Sequence, residues 1–212
     1  MATASAQRWN GTSDSGDRTR VVIGRFERTG DGYTATIDGD HNLLVQQLAH
    51  EVLVLLDTPD EPSPLLAAVT DDFSRLEPAD PALTYLLPAM SGDGAQAQEL
   101  RALTEDYLRA EKSSRLRKVR ADLERARLAE TGQVSLGHDD VWEWLAALND
   151  VRLALGGELG VETQADVAAI EQLAAQLQLS RDQRSNAALI YMIITWWQDS
   201  LLRAVREGAS SN

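Results

Sequence analysis

Apolar residues first alternate along this chain and then recur at helical spacing. Val22, Phe26, Tyr33, Ala35 and Ile37 lie at every second position within two arms separated by TGDG. That pattern predicts a β-hairpin, and a hairpin needs other structure to pack on. Val134 to Leu136 (VSL) is a candidate third strand. From Asp40 onward the punctuation is helical. Asp40 is placed to cap a helix through Leu56, which TPDEPSP ends; Ser63-Pro64 opens a second helix to about Leu76, with Leu66, Val69, Phe73 and Leu76 on one face; Asp80-Pro81 opens a short third. Asp93 with Gln96 resembles a capping box and starts a long helix to about Glu130. Its stripe of Leu100, Leu103, Tyr107, Leu116, Val119 and Leu123 is narrow, which predicts a helix facing solvent over much of its length. Asp139 or Asp140 caps VWEWLAALNDVRLALGGEL, which Gly160 closes; Thr163 with Asp166 and Ser180 with Gln183 open the last two helices, the final one running to about Glu207.

These elements predict an α+β fold dominated by helices, with the N-terminal hairpin packed on a bundle centred on the helices of Trp144–Leu155 and Ala187–Leu202. Residues 1–20, rich in Ser, Thr, Gly and Asp, read as a mobile tail, and residues 21–208 as a single domain. No repeat of solenoid period is visible. The longest apolar run, AALIYMIITWW, falls well short of the roughly 20 residues that span a bilayer and reads as a helix buried on most sides.

Composition narrows the chemistry. The chain has no cysteine, which excludes disulfides, thiolate nucleophiles and cysteine-ligated metals. Its start lacks the apolar segment of a secretory leader, so a cytoplasmic protein is expected. The net charge of -13 opposes nonspecific binding to nucleic acid or anionic membrane. Charge is also segregated: among the ionised side chains of residues 40–99, Arg75 stands as the one cation among acids, whereas residues 109–127 (RAEKSSRLRKVRADLERAR) hold eight cations against Glu111, Asp122 and Glu124. An acidic and a basic side are predicted.

One cation interrupts an apolar seam. Val141, Trp144, Leu145, Leu148, Val151, Leu155 and Leu159 share one helical arc, with Arg152 inside it and Asn149 and Asp150 outside it. A guanidinium keeps its proton, so Arg152 must reach water, a backbone carbonyl, a carboxylate or a ligand. Glu51, beside the stripe of Leu44, Leu48, Val52 and Leu55, is the candidate carboxylate for a structural ion pair. Arg152, Glu51, Asn149 and Asp150 together are the candidate site for a small anionic ligand. Gly156 and Gly157, one turn on, suit either close backbone approach or a loosened helix end.

No phosphate-binding loop, dinucleotide fingerprint, nucleophile elbow or HExxH motif is present. His41, His50 and His138 are too few for a zinc site without carboxylates, and His138-Asp139-Asp140 reads more simply as a helix start; no metal and no cofactor are expected. Asp60-Glu61 and Asp71-Asp72 read as solvated surface rather than acid–base pairs. Trp142, Trp144, Trp196 and Trp197 lie on apolar helices and read as core or interface, with Trp196 and Trp197 the candidate homodimer contact. Arg109, Lys112, Arg115, Arg117, Lys118 and Arg120 form the candidate interaction surface, for an acidic protein partner or, as the alternative reading, for DNA.

DPALTYLLP, QELRALTEDYLRAEK, WLAALNDVRLALGGELGV and YMIITWWQDSLLRAV, in this order, resemble an actinobacterial domain of unknown function usually encoded beside the adaptor of the Clp protease. The resemblance covers roughly residues 20–206, and WLxxLNDxRLxLG is its most distinctive part. Tyr85 stands where that family more often carries arginine before Leu-Leu-Pro, so no role of that arginine carries over. The resemblance implies a bacterial cytoplasmic protein linked to regulated proteolysis, sometimes labelled a transcriptional regulator, and brings no catalytic residues. The combined expectation is a non-enzymatic regulatory or protein-interaction module, with a Clp component as partner and a homodimer as assembly; a DNA-binding regulator and an anionic-metabolite sensor around Arg152 are the rivals.

Overall fold

The computed structural model describes residues 23–30, 32–57, 75–129, 131–175 and 182–209. Their order is β1 (Glu27–Thr29), β2 (Gly32–Thr36), α1 (Gly39–Asp57), α2 (Pro81–Leu86), α3 (Gly94–Leu128), β3 (Gln133–Gly137), α4 (Val141–Leu159), α5 (Gln164–Ala175) and α6 (Gln183–Ala209). The fold is α+β and predominantly helical, with an antiparallel sheet packed against the helices. The N-terminal tail lies outside the described residues, as does the helix expected over 63–76 apart from Arg75 and Leu76, which are not helical.

The sheet order is β1-β2-β3, so the candidate third strand pairs with the second arm of the hairpin. Tyr33 faces Leu136 and Ala35 faces Val134 across that ladder. Alternation puts these four on the covered face, where Phe26 and Ile37 join them in the core. Thr34 and Ser135, also paired, take the opposite face.

Caps set most helix boundaries where the sequence puts them. Asp80 accepts from the backbone N–H of Ala82 at 2.8 Å and of Leu83 at 3.3 Å. Asp93 accepts from Gln96 N at 2.9 Å. Thr163 and Asp166 cap each other, Thr163 N donating to Asp166 Oδ2 at 2.7 Å and Asp166 N to Thr163 Oγ1 at 3.3 Å. Gly160 ends α4 in the left-handed conformation (φ 69°), and Val161 N reaches back to Gly156 O at 2.9 Å. Two starts differ. Asp38 rather than Asp40 caps α1, accepting from His41 N at 2.9 Å. Asp182 caps α6 through Ser185 N at 2.8 Å, while Ser180 lies outside the described residues.

An aromatic nucleus joins sheet and helices. Phe26 stacks on Trp197 with ring centroids 5.2 Å apart, and Trp144 meets Trp197 edge-on at 5.8 Å. Both indole N–H groups are satisfied, Trp144 Nε1 by Asp122 Oδ2 at 2.8 Å and Trp197 Nε1 by Gly24 O at 3.2 Å. Each buried indole removes roughly 150–250 Å² from water, worth about 4–6 kcal/mol at ~25 cal/mol/Å². The two ends of the described chain meet here: Phe26 N donates to Ser200 Oγ at 3.1 Å and Arg28 Nη1 to Gly208 O at 2.9 Å. Helix α4 sits centrally, packed against α1, α2, α3 and α6. At Gly157 it approaches the start of α2 so closely that an added Cβ would lie 2.8 Å from Pro81 O. Among the described residues no helix is long and apolar enough to cross a membrane.

Candidate interaction surface

Helix α3 turns one line of charged residues inward over its first half. Arg101, Glu105 and Arg109 recur every four residues on one line, and all three are buried. Glu105 Oε1 accepts from Arg109 Nε at 2.8 Å, and Glu105 Oε2 lies 3.4 Å from Arg101 Nη1. Arg75 adds a third guanidinium, 3.5 Å from Glu105 Oε1, and also pairs with Asp106 at 2.6 Å. Glu105 is thus shared among three cations, and backbone carbonyls also hold two of them. Arg101 Nη1 donates to Leu87 O at 2.9 Å, just past α2, and Arg109 Nη1 to Leu56 O at 2.7 Å. Leu56 lies in the last turn of α1, which carries no basic residue of its own, so Arg109 supplies the cation favoured at that helix end.

The same turns present their apolar residues to solvent. Leu103 is 72% and Tyr107 68% exposed, one turn apart. Leu100 beside them is half-buried, and the exposed Met90 accepts through its sulfur from Thr104 Oγ1 at 3.6 Å. Between Met90, Pro88, Thr104 and Leu108 lies a cavity of about 10 Å³, room for a single water. The expected stripe is therefore split: Leu116, Val119 and Leu123 are core, whereas Leu103 and Tyr107 are not.

The buried charge of α4 is Asp150, not Arg152. Asp150 is only 2% exposed, and its Oδ1 meets Lys112 Nζ at 2.5 Å. Among the described residues its Oδ2 has no hydrogen-bond partner. Burial pushes this carboxyl above the usual aspartate range, against the opposing pull of Lys112 and Arg115. Arg152 is half-buried and donates to Asn149 Oδ1 at 2.8 Å. Glu51 is exposed and accepts from Gln47 at 3.1 Å, so the expected clasp between Glu51 and Arg152 is not formed. A single buried arc misjudges a helix enclosed from several directions: the side assigned to water meets α3. Tyr85 donates to Val161 O at 3.3 Å, tying α2 to the end of α4.

The six cations expected to form one basic surface are dispersed. Arg109 is buried with Glu105, and Lys112 is committed to Asp150. Arg115 pairs with Glu111 at 2.9 Å and Arg117 with Asp57 at 3.3 Å. Lys118 binds Asp140 at 2.8 Å, which raises the lysine's pKa and lowers the aspartate's. Arg120 keeps its Nε buried, with no hydrogen-bond partner among the described residues. Farther on, Arg127 and Gln46 hold Glu124 down to about 2. Cations answered by carboxylates of their own chain are poorly placed to line phosphates.

Neighbouring tryptophans also separate. Trp197 is wholly buried and so cannot form a dimer contact, whereas Trp196 is 47% exposed and Trp142 64%. His138 stands edge-on to Tyr33 at 5.4 Å, and His41 bonds Asp38 at 2.8 Å. Among the described residues no group of three or more His, Cys, Asp or Glu is arranged to hold a metal ion.

The buried Arg–Glu–Arg line left a trace in the sequence, the spacing RxxxExxxR, in which each i,i+4 step joins opposite charges. Comparison with curated proteins and with solved structures finds no significant match. The profile described as Domain of unknown function (DUF2017) does match, from Ile23 through Val205, and over those residues, 23–205, the chain belongs to that family.

Proposed function

We propose that this protein is a non-enzymatic module that binds another protein through the outward ridge of α3. The observation that carries the reading is the inverted polarity of the first half of that helix: Arg101, Glu105 and Arg109 are buried while Leu103 and Tyr107 are exposed. Single exposed apolar residues are ordinary. Here the same turns bury ions at a desolvation cost, whereas rotating the helix would cover the apolar pair instead. An apolar ridge held toward water in this way suits a binding partner.

The family resemblance makes a component of the Clp system the first partner to test, in a cytoplasmic and regulatory setting. DNA binding has less support, because the cations of residues 109–127 are largely ion-paired within the chain, and a metabolite site has less, because Arg152 is bonded to Asn149. Self-association through Trp196 is a separate proposal, which light scattering tests directly. For the ridge, a photo-crosslinking residue in place of Tyr107, with Trp142 as the control position, is expected to give an adduct with a Clp chaperone or adaptor in the native host. No adduct above the control would refute the ridge; an adduct with an unrelated protein would retain it and end the Clp assignment.

A further inference from the structure

We infer that the segment seated on the α3 ridge is a basic amphipathic helix of the partner, an inference that rests on the docking reading above and names the chemistry of what docks. Leu103 and Tyr107 lie one turn apart on a continuous helix, with half-buried Leu100 one turn before Leu103. A row of that kind accepts the apolar face of another helix, whose anchors repeat at the same interval.

Charge then selects among such helices. From Asp93 to Ser114, every charged residue classed as exposed is acidic: Asp93, Glu99 and Asp106. The cations of the region point away, Arg101 and Arg109 into the core, Lys112 toward Asp150 and the neighbouring Arg75 toward Glu105 and Asp106. Asp106 keeps 85% of its side chain accessible despite that pairing. The apolar row is therefore bordered by negative charge on a protein of net charge -13. Lysines or arginines flanking the partner's apolar face complement this border, which speeds encounter and rejects acidic competitors. A second copy docking by the same ridge would set acid against acid, and anionic lipid and nucleic acid are repelled for the same reason.

The test uses the full chain and two labelled synthetic peptides with the same leucine pattern, one carrying lysine and the other glutamate at its polar positions, followed by fluorescence anisotropy. The Leu/Lys peptide is expected to bind saturably and more weakly as salt rises. The double variant Leu103→Ser/Tyr107→Ser should weaken it about tenfold or more, the scale of losing interface anchors. Glu99→Lys should weaken it several-fold at low salt, and Trp142→Ser should leave it unchanged. All four substituted residues are exposed, so the variants should keep the wild-type circular dichroism and melting curve. Ridge-dependent binding of the Leu/Glu peptide in preference to Leu/Lys would overturn the basic-helix inference and leave the docking surface standing. If neither peptide binds, or if binding ignores Leu103 and Tyr107, the inference falls. A dimer that dissociates in the double variant would also overturn it, in favour of a second copy.

Discussion

Gly156 and Gly157 are adjacent in α4, yet alanine should act in opposite directions at the two. A Cβ at Gly156 finds Tyr191 Cε2 at 3.7 Å, an ordinary contact, whereas at Gly157 it meets Pro81 O at 2.8 Å and Ala82 Cα at 2.9 Å. Both positions are helical, so each alanine gains about 0.5–1 kcal/mol from reduced unfolded-state freedom and better helix propensity. At Gly156 nothing opposes that gain. At Gly157 the obstacle is backbone in the first turn of α2, which cannot swing aside as a flexible side chain would. Overpacking of this kind costs about 1–3 kcal/mol. The helix gain cancels between the variants, so their difference isolates the steric term, about 1–3 kcal/mol. At ~2–4 °C per kcal/mol for a domain of this size, Gly156→Ala should melt ~2–12 °C above Gly157→Ala, and above wild type. Circular dichroism melts and urea titrations with unchanged m-values measure this. A Gly157→Ala protein melting at or above Gly156→Ala would refute the close approach of α4 to α2.

Further substitutions test the buried charges and the aromatic nucleus. Lys112→Met strands the Asp150 carboxylate and should cost about 3–5 kcal/mol at neutral pH, with Lys112→Met/Asp150→Asn recovering most of it in a double-mutant cycle of urea titrations. Burial raises the folded pKa of Asp150, so its contribution is fully present below the unfolded value of ~3.9 and is lost as pH rises through the folded value; stability of wild type relative to Asp150→Asn should fall across that window, and a rise would refute it. Glu105→Gln leaves the guanidinium groups of Arg75, Arg101 and Arg109 without their shared anion and should cost about 3–5 kcal/mol by denaturant titration; a loss under ~1 kcal/mol would mean that their other partners, Asp106 and the backbone carbonyls among them, suffice. Trp144→Phe removes the indole donor to buried Asp122 and should cost about 1–3 kcal/mol, whereas exposed Trp142→Phe should stay within ~0.5 kcal/mol, so equal melting curves would refute the core assignment.

Features governed by local rules were legible in the sequence. The alternation of Tyr33, Ala35 and Ile37, the Asp93 and Thr163–Asp166 caps and the Gly160 stop depend on a few adjacent residues, and each reappears in the structure. Burial on α3 and α4 did not follow from such rules. A helical wheel assumes one wet side, but α4 is enclosed by four helices, so Asp150 is covered while Arg152 keeps part of its surface. The cationic run was read as a surface because three of its counter-charges are remote in sequence: Asp57, Asp140 and Asp150 come from α1 and from the start and middle of α4. Trp196 and Trp197 differ because successive helical residues point about 100° apart, and only one of them faces Phe26. Asp38 and Asp40 are alike in type, and the bridge between Ile23 and Ile37, which fixes the chain just before Asp38, is a tertiary feature.

The closure of the first described strand against the last helix bears on synthesis. Phe26 has no Trp197 to stack on until α6 has left the ribosome, and β2 has no third strand until Val134 and Leu136 emerge. A nascent chain ending at Leu159 carries most of the apolar surface of the central helix with nothing from α6 to cover it. The core is thus completed only once α6 has emerged, and a shorter nascent chain exposes apolar surface that the folded protein covers.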